Sequence, residues 1–516
     1  MRTKTTVFVV GFACVAFLLA GCRDAAKDRV VGRASERDKK EADYLQIVKS
    51  YAETLIEHGR DTYGKSSSPL IATTLDRKTL RVFEEEELDK LWQMRLKDWE
   101  NWRVRNRDRM MTGANPMHDQ NLYQILYALT EITGDKRYAK EADRTIRWFF
   151  RHCQSPVTGL MAWGEHIGWD FNTETLITWR KGKHHGGRMQ EYNTHEFARP
   201  WVLWERSFEL APQECERFAA GLWDHQIGDH KTGNFSRHAN YEIHQTFIDS
   251  EYPRHGGFYI ATWAEAYRHT KDPLLAKAIE TLVDYFDGRR NPQSGALPAE
   301  SAPRSKGKVL WATSNLSLAI DLWDSADKMP GELAKKMRQC ASRTDEVFLK
   351  LGHELRPGGK GFLITTYTDT LQPVERGAYT GPWGHAGTAN LCLLRYQQVK
   401  LDGYKWLGLA TATLYLKSEP EVKAALHPGT LGQIIYLMLG AYELTGYKWY
   451  LNRADDYAQR AIELFITDDS PLPKSTSKHT HYEAVTGSDT LMMALLKLWA
   501  IKNRPDLKLR LVYCDR

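Results

Sequence analysis

The chain has 516 residues, of which 71 are basic and 65 acidic, so its formal net charge is +6. A hydrophobic content of 42% is enough for a large folded body and excludes a chain that is disordered throughout. The mild positive charge comes without a nucleic-acid-binding motif, so no nucleic-acid partner is expected. With 17 Trp and 24 Tyr, it instead suits an anionic ligand that contains rings.

The start of the chain is typical of a bacterial lipoprotein signal peptide. An apolar run over residues 7–19 follows two basic residues and is too short for an ordinary membrane-spanning helix. Residues 19–22 read Leu-Ala-Gly-Cys, the form of a lipoprotein processing box. We expect residues 1–21 to be removed, Cys22 to carry a lipid, and residues 22–41 to be a flexible linker. The protein would then be exported and anchored to a membrane, in the periplasm or at the outer membrane, with an uncleaved anchor as the alternative.

Behind the linker, pairs of apolar-periodic segments are separated by a recurring turn. Residues 133–138 (TGDKRY) recur as residues 445–450 (TGYKWY), and a looser copy occupies residues 270–273. Each copy lies between two helical patterns, so each predicts the bend of a helical hairpin. The first helices of the hairpins are expected to begin near His118, His195, Gly256, Ala312, His385, Leu431 and Val485.

The two ends of this pattern predict a closed ring. The amphipathic stretch 42–58 has no partner before it, and the last first helix, residues 485–501, has none after it. Pairing them gives an all-α (α/α) toroid of six to seven hairpins, with seven favoured. Residues 42–516 would then be one catalytic domain, expected to be a monomer, with a short β-prone tail over residues 507–513.

The cysteines make a thiolate metal site unexpected. Five of the seven follow Cys22, and none forms a CxxC pair, so at most two disulfides are predicted. No cofactor and no metal ligand are predicted, although a structural calcium or zinc ion stays open.

Polar residues that are unsuited to helix cores cluster where two of the first helices are expected to begin. One cluster spans residues 192–199 and the other residues 237–255. In a toroid this end of the helices forms the rim of the central cleft, where binding loops usually lie. The catalytic candidates are Asn193, His195, His244 and Tyr252. The substrate-binding candidates are Arg199, Arg237, Arg254, His255, Arg304, Trp163, Trp169 and Trp383.

These residue types suit elimination across a uronic acid. That reaction removes the proton from the carbon beside the carboxylate and expels the glycosidic oxygen. Asn, Arg or protonated His can neutralise the charge that develops on the carboxylate. His and Tyr can share the roles of base and acid. An anionic polysaccharide is therefore the expected partner.

The order of the candidates resembles that in the toroidal polysaccharide lyases, a group that contains alginate, glucuronan, heparinoid and chondroitin lyases. In that group an Asn at the start of one inner helix is followed about one hairpin later by a His and then a Tyr, and by an Arg another hairpin on. Asn193, His244, Tyr252 and Arg304 stand in that order. His195 is similar to a variant in which the His lies beside the Asn. A seven-hairpin ring without a β-domain most resembles the glucuronan and alginate lyases.

The resemblance implies a polysaccharide lyase that cleaves a uronic-acid polymer by β-elimination. Asn193, helped by Arg254 or Arg304, would neutralise the substrate carboxylate. Tyr252 would protonate the leaving oxygen and, in a syn elimination, would also be the base. For the opposite stereochemistry a histidine of the two clusters would take the proton, and the tryptophans would stack on sugar rings.

Other functions stay open at this point. Helical toroids also host glycoside hydrolases, which need two carboxyl groups beside the bond. The rim carboxylates available for hydrolysis are Glu165, Asp170, Asp249, Glu251 and Glu300. A sugar epimerase and a non-catalytic glycan-binding lipoprotein are the remaining alternatives. The density of His, Tyr and Asn favours the lyase, because a hydrolase does not need those residues. Each candidate also has a structural alternative, such as a helix cap for Asn193.

Overall fold

The computed structural model describes residues 43–97, 111–165, 167–178, 193–195, 197–246, 252–299, 307–374, 385–418 and 425–516. Residues Tyr44–Arg516 form one compact unit. Several predictions concern residues outside the described ranges, namely the signal peptide, the linker, the lipid on Cys22, Arg304 and Trp383.

The described residues contain 15 α-helices. In chain order they are α1 Tyr44–His58, α2 Glu85–Lys97, α3 Pro116–Thr133, α4 Lys136–His152, α5 Trp204–Leu210, α6 Pro212–Gln226, α7 Pro253–Thr270, α8 Pro273–Gly288, α9 Ala312–Ala326, α10 Gly331–Lys350, α11 Ala386–Val399, α12 Asp402–Tyr415, α13 Pro428–Thr445, α14 Lys448–Phe465 and α15 Ser488–Asn503.

Fourteen of these helices pair as hairpins, and the pairs close into a ring. Six pairs are consecutive, from α3 with α4 to α13 with α14, and the seventh joins α15 to α1. The first helices also pack on one another, since α7 lies against α9, α9 against α11, α11 against α13, α13 against α15, and α15 against α3. The predicted all-α toroid is confirmed, and its described part has seven pairs.

Burial shows which helices form the inner ring. Every residue of α3 from Pro116 to Leu126 is buried, whereas its partner α4 buries only one stripe. A helix that is enclosed on all sides must lie inside the ring, and an amphipathic helix lies outside it. The first helix of each pair is therefore the inner one.

Left-handed glycines explain the repeated turn. Gly134 ends α3 with φ 77°, and Gly446 ends α13 with φ 70°. Only glycine adopts this conformation at little cost, and the helix C-terminus is where it is most often needed. The Thr-Gly pair in both copies thus stops the inner helix and starts the return to the outer one, as predicted.

The ring has two unlike ends. Inner helices run into their outer partners through short turns, such as residues 134–135 and 446–447. Outer helices return through long connections, among them residues 153–203, 227–252 and 466–487. All described strands lie in these long connections: β1 Arg60–Asp61, β2 Ser68–Ile71, β3 Thr74–Leu75, β4 Gly113–Ala114, β5 Ile167–Asp170, β6 Thr175–Thr178, β7 Asn193–His195, β8 Ile227–Asp229, β9 Asn234–Phe235, β10 His238–Asn240, β11 Val309–Trp311, β12 Thr365–Tyr367 and β13 Tyr482–Glu483. The long-loop end, where the inner helices begin, is the end that can carry a site.

The second hairpin differs from the prediction. A first helix was expected near His195, but His195 ends strand β7, and α5 begins only at Trp204. Pro200 accounts for part of the difference, because the residue before a proline is disfavoured in helical geometry. Helix α2 was not predicted at all.

The end of the chain crosses the inside of the ring. The β-prone tail expected over residues 507–513 contains no strand. Its polar groups bond to inner helices instead. The contacts are Val512 N to Gln124 Oε1 of α3 (2.7 Å), Tyr436 OH of α13 to Leu511 O (3.0 Å), Thr490 Oγ1 of α15 to Asp515 Oδ2 (2.7 Å), and Arg516 Nη1 to Asp321 Oδ2 of α9 (2.9 Å). Since these inner helices line the centre of the ring, the tail fills part of that centre.

Candidate functional site

The residues just before the inner helices are unusual for their position. The N-cap is normally Ser, Thr, Asp or Asn, whose side chain bonds to a free backbone N–H. Asn115 caps α3 in this way, but the position is Tyr252 in α7, Trp311 in α9, His385 in α11 and His427 in α13. None of these four caps its helix through the side chain. They bring large aromatic and titratable groups to the long-loop end without capping the helices through their side chains.

A short ribbon joins the two polar clusters that the sequence singled out. Strands β7 and β10 are antiparallel, with Asn193 opposite Asn240 and His195 opposite His238. The backbone thus brings residues 193–195 beside the strand that follows Arg237. The side chains of residues 193–195 lie outside the description, so the roles of Asn193 and His195 stay predictions.

Tyr252 is the centre of a compact group at this rim. The Arg237 guanidinium carbon lies 4.3 Å from the centroid of the Tyr252 ring. The ring of Trp311 meets Tyr252 edge-on at 5.4 Å, and His255 lies 6.0 Å away. Arg254 follows by two residues, and its backbone N–H donates to Ser314 Oγ at 3.1 Å. We call Arg237, Tyr252, Arg254, His255 and Trp311 the Tyr252 cluster.

The histidine of this cluster is neutral and enclosed. Burial, and then the charges of Arg254 and Arg237, hold the pKa of His255 well below its usual value. Its side chain is 0% exposed and packs beside Phe258. His255 was predicted to bind substrate, but a fully buried ring cannot contact a polymer, and its position suits support of Tyr252.

The C-terminal tail packs against the buried side of the Tyr252 cluster. The Arg516 guanidinium carbon lies 5.7 Å from the centroid of Phe258, the residue that packs on His255. Arg516 is itself held by Asp321 of α9. The inner part of the Tyr252 cluster is therefore supported from within the ring.

Trp311 was missed by the sequence reasoning. It precedes α9 as Tyr252 precedes α7, and it is 39% exposed. An exposed aromatic ring beside a rim tyrosine can pack on the apolar face of a sugar. The signal that could have revealed it is a tryptophan at an N-cap position.

His244 has a histidine partner that was also missed. Its Nδ1 lies 3.2 Å from Nε2 of His225, the buried residue next to the end of α6. Burial, followed by the presence of His244, lowers the pKa of His225. His244 itself is exposed, so it is open to a ligand, and its role as base stays a prediction.

Two predicted substrate contacts lie in the protein interior. Trp163 is 0% exposed and packs among aromatic rings, including Phe149 at 5.5 Å and Trp201 at 5.1 Å. Arg199 is buried and forms ion pairs with Asp515 at 2.8 Å and Asp489 at 3.6 Å. Both positions favour a structural role over the predicted contact with substrate.

Trp169 lies elsewhere. It is half-buried in β5 and meets the ring of Trp148 edge-on at 6.4 Å. Trp148 belongs to the outer helix α4, so Trp169 is placed beside that helix and not in the Tyr252 cluster.

The described hydrolase candidates, and the carboxylates at the starts of α3 and α15, are buried or half-buried. Asp170 is buried and accepts hydrogen bonds from Thr173. Asp119 and Asp489, at the starts of α3 and α15, are each 1% exposed. Glu165 is half-buried, and the hydrolase candidates Asp249, Glu251 and Glu300 lie outside the described ranges. The hydrolase alternative therefore stays open, since three of its five candidates lie outside the described residues.

The raised pKa of the buried Asp489 predicts that the unfolding free energy depends on pH. Burial raises its pKa to about 7, against the opposing effect of Arg199. The folded state therefore retains a proton that the unfolded state releases above about pH 4. This contribution is fully present below about pH 4 and is lost progressively as the pH rises from about 4 to about 7. We expect Asp489→Asn to flatten the fall in unfolding free energy between about pH 4 and 7, by up to about 1.4 kcal/mol per pH unit.

Urea titrations at several pH values measure this slope directly. The exposed Asp468 offers the matched control, Asp468→Asn, which should keep the slope of the parent. An Asp489→Asn slope equal to that of the parent would show that Asp489 is not the group responsible.

No metal site or disulfide is present in the described part of the chain. Those residues contain no group of three or more His, Cys, Asp or Glu side chains placed to hold an ion. The five cysteines after residue 22 are free and buried. Of the helices described, none is both long and apolar enough to cross a membrane.

Comparison with known proteins supports carbohydrate processing. Residues 92–275 match the model of a family described as periplasmic pectate lyase, which covers less than half of the chain. The match agrees with the expected class, an enzyme that acts on polysaccharides, and with export. It names pectate, whereas the sequence analysis pointed to glucuronan and alginate.

Three solved structures that match the chain at low identity are a cellobiose 2-epimerase, a D-mannose isomerase and an unsaturated glucuronyl hydrolase. Cellobiose 2-epimerase from Bacillus thermoamylovorans is 8% identical and covers 88% of this chain and 99% of its own, at a TM-score of 0.48. D-mannose isomerase is 10% identical, with coverage of 90% and 100% and a TM-score of 0.46. Unsaturated glucuronyl hydrolase from Streptococcus agalactiae is 10% identical, with coverage of 83% and 94% and a TM-score of 0.40. Because these scores are below 0.5, the fold assignment rests on the helix pairing itself.

Proposed function

We propose that the chain is a polysaccharide lyase that cleaves an anionic, uronic-acid-containing polymer by β-elimination. The observation that carries the proposal is the Tyr252 cluster, in which a half-buried phenol lies 4.3 Å from one guanidinium and two residues from another, at the rim of the ring. The match of residues 92–275 to a pectate lyase family supports the same chemistry.

The arginines suit the first requirement of the reaction. Arg237 lies over the ring of Tyr252, Arg254 follows Tyr252 by two residues, and the charges of both arginines lower the pKa of His255. A guanidinium can bind a carboxylate through two parallel hydrogen bonds. Bound there, the carboxylate of a uronate has its developing enediolate charge neutralised. The inner helices add to this, because their positive N-terminal ends meet at the same rim.

Tyr252 suits the second requirement. As the proton leaves the carbon beside the carboxylate, its electron pair forms the new double bond, and the bond to the glycosidic oxygen breaks. That oxygen must receive a proton, which the phenol of Tyr252 donates. In a syn elimination Tyr252 instead starts as the phenolate, takes the carbon-bound proton and passes that same proton to the leaving oxygen. In the opposite geometry His244 or His195 takes it, and Asn193 assists the arginines at the carboxylate.

Pectate is the first polymer to test, because the matched family is one of pectate lyases. Glucuronan and alginate follow from the resemblance of the residue order. All three have the carboxylate beside the acidic carbon, so one site chemistry serves each of them, and the ring face that meets Tyr252 decides among them.

The decisive experiment is ultraviolet absorbance during incubation of the purified protein with pectate, glucuronan, alginate, heparinoid and chondroitin chains. Elimination creates a conjugated double bond, so a rise establishes the lyase and identifies its polymer. New reducing ends without a rise would replace elimination by hydrolysis. Glycan binding with neither product would replace the enzyme by a binding lipoprotein.

Membrane anchoring is a separate proposal. Residues 19–22 support cleavage before Cys22 and lipidation of that cysteine. The parent should then incorporate labelled palmitate in cells and Cys22→Ala should not; a parent that incorporates no label would refute the lipid anchor.

A further inference from the structure

A pocket lies on the outside of the ring, away from the Tyr252 cluster. Its volume is about 280 Å³, and it lies between the outer helix α4 and the segment around β2. Its lining residues are Ser67, Pro69, Arg144, Arg147, Trp148, Arg151 and His152. None of them belongs to the Tyr252 cluster.

Three arginines give the pocket an excess of positive charge. Arg144, Arg147 and Arg151 are three and four residues apart, so they project from one face of α4. Arg144 has a carboxylate neighbour, Glu141 at 3.7 Å, but that carboxylate also binds Arg60 at 2.6 Å. Within the described residues, no carboxylate forms an ion pair with Arg147 or Arg151. Arg151 has one internal partner, the Leu210 carbonyl oxygen, to which its Nη2 donates at 3.4 Å. A guanidinium has five N–H donors, so the remaining ones can bind an anion.

Aromatic rings complete the lining. The exposed imidazole of His152 stacks on the indole of Trp148 with centroids 4.5 Å apart and an interplanar angle of 13°. The stack is fixed by a contact between His152 Nδ1 and the Trp148 carbonyl at 2.9 Å. Trp169 supports Trp148 from the edge. A flat, partly apolar surface beside guanidinium groups matches a sugar ring that carries a carboxylate.

We propose that this pocket is a second, non-catalytic binding site for a carboxylated sugar chain. The proposal takes its substrate class from the proposed function. A chain held at both places dissociates more slowly than one held at either, because the second contact is intramolecular. Trp169 then contributes to polysaccharide binding here, through Trp148, instead of at the cleft. The stacked rings of Trp148 and His152 favour a sugar over a lipid surface, because a sugar ring offers an apolar face of matching size.

Affinity electrophoresis in gels that contain polygalacturonate or alginate tests the proposal. The double variant Arg147→Gln/Arg151→Gln should bind at least tenfold more weakly than the parent. The matched control Lys335→Gln/Lys448→Gln removes two exposed cations from two other outer helices, α10 and α14, and should bind as the parent does. Unchanged affinity in the pocket variant, equal losses in both variants, or no binding by the parent would overturn the proposal.

A second assay separates sugar from membrane and binding from catalysis. If the pocket variant loses binding to vesicles with anionic lipids but keeps its affinity for both polymers, the pocket is a lipid site and the proposal fails. The gels do not depend on turnover. Absence of an absorbance rise, with the predicted loss of binding in the pocket variant, would therefore refute the lyase and leave the second site intact.

Discussion

Replacing Tyr252 with phenylalanine is expected to lower the rate of elimination by about 10²–10⁴-fold. The substitution removes one hydroxyl and keeps the ring that contacts Arg237 and Trp311. The carboxylate binding proposed for Arg237 and Arg254 does not require that hydroxyl, so polymer affinity should change little. Loss of kcat with retained binding is the signature of a group that acts in the transition state.

The measurement combines initial rates of absorbance with binding to the same polymer. Tyr447→Phe is the matched control, because Tyr447 is 43% exposed in a short turn at the opposite end of the ring. Near-parent rates in Tyr252→Phe would exclude Tyr252 as the proton donor and leave His244 as the next residue to test.

Replacing Asp345 with asparagine is expected to lower the unfolding free energy by about 3–5 kcal/mol. Arg395 is 0% exposed, and its Nε and Nη2 donate to Asp345 Oδ1 at 2.9 Å and Oδ2 at 2.6 Å. Tyr404 OH donates to the same carboxylate at 2.7 Å. Asparagine has nearly the same volume but no charge, so the guanidinium would be left buried without its counter-ion.

Denaturant titration of the variant provides the measurement. The control is Asp456→Asn, which removes the partner of Arg453 at 3.4 Å, a carboxylate that is 65% exposed. An exposed pair of this kind contributes about 1 kcal/mol or less. Equal effects in the two variants would show that burial does not strengthen the dependence of Arg395 on Asp345.

Local signals were sufficient to predict the ring. The Thr-Gly pairs at residues 133–134 and 445–446 mark turns because a left-handed glycine is needed at that point of the chain itself. The first helix of the second hairpin was predicted too early in the chain, because its start depends on a contact with a distant segment. Residues 193–195 pair with β10, more than forty residues further on, and periodicity carries no information about such a partner.

Local signals also allowed part of the candidate site to be predicted. Tyr252, Arg254 and His255 are close in sequence, so a polar loop identified them together. The burial of the candidate side chains could not be predicted from the sequence, because it depends on segments that are distant along the chain. Arg199 was predicted to be a cation at the rim. Its ion-pair partner Asp515 is far away along the chain, and the sequence does not show that the two residues meet. Sequence-distant contacts decide which polar residues face solvent.

Closure of the ring by α15 and α1 has a consequence for biosynthesis. The apolar face of α1, which includes Val48 and Leu55, has no hairpin partner until the last helix has been synthesised. Contacts between such distant segments slow folding, and unpaired apolar faces invite aggregation in the meantime. An open solenoid that loses its last repeat keeps the others, since each unit needs only its neighbours. A ring has no such tolerance, so a nonsense mutation before α15 should leave the cell with an insoluble chain instead of a shorter enzyme.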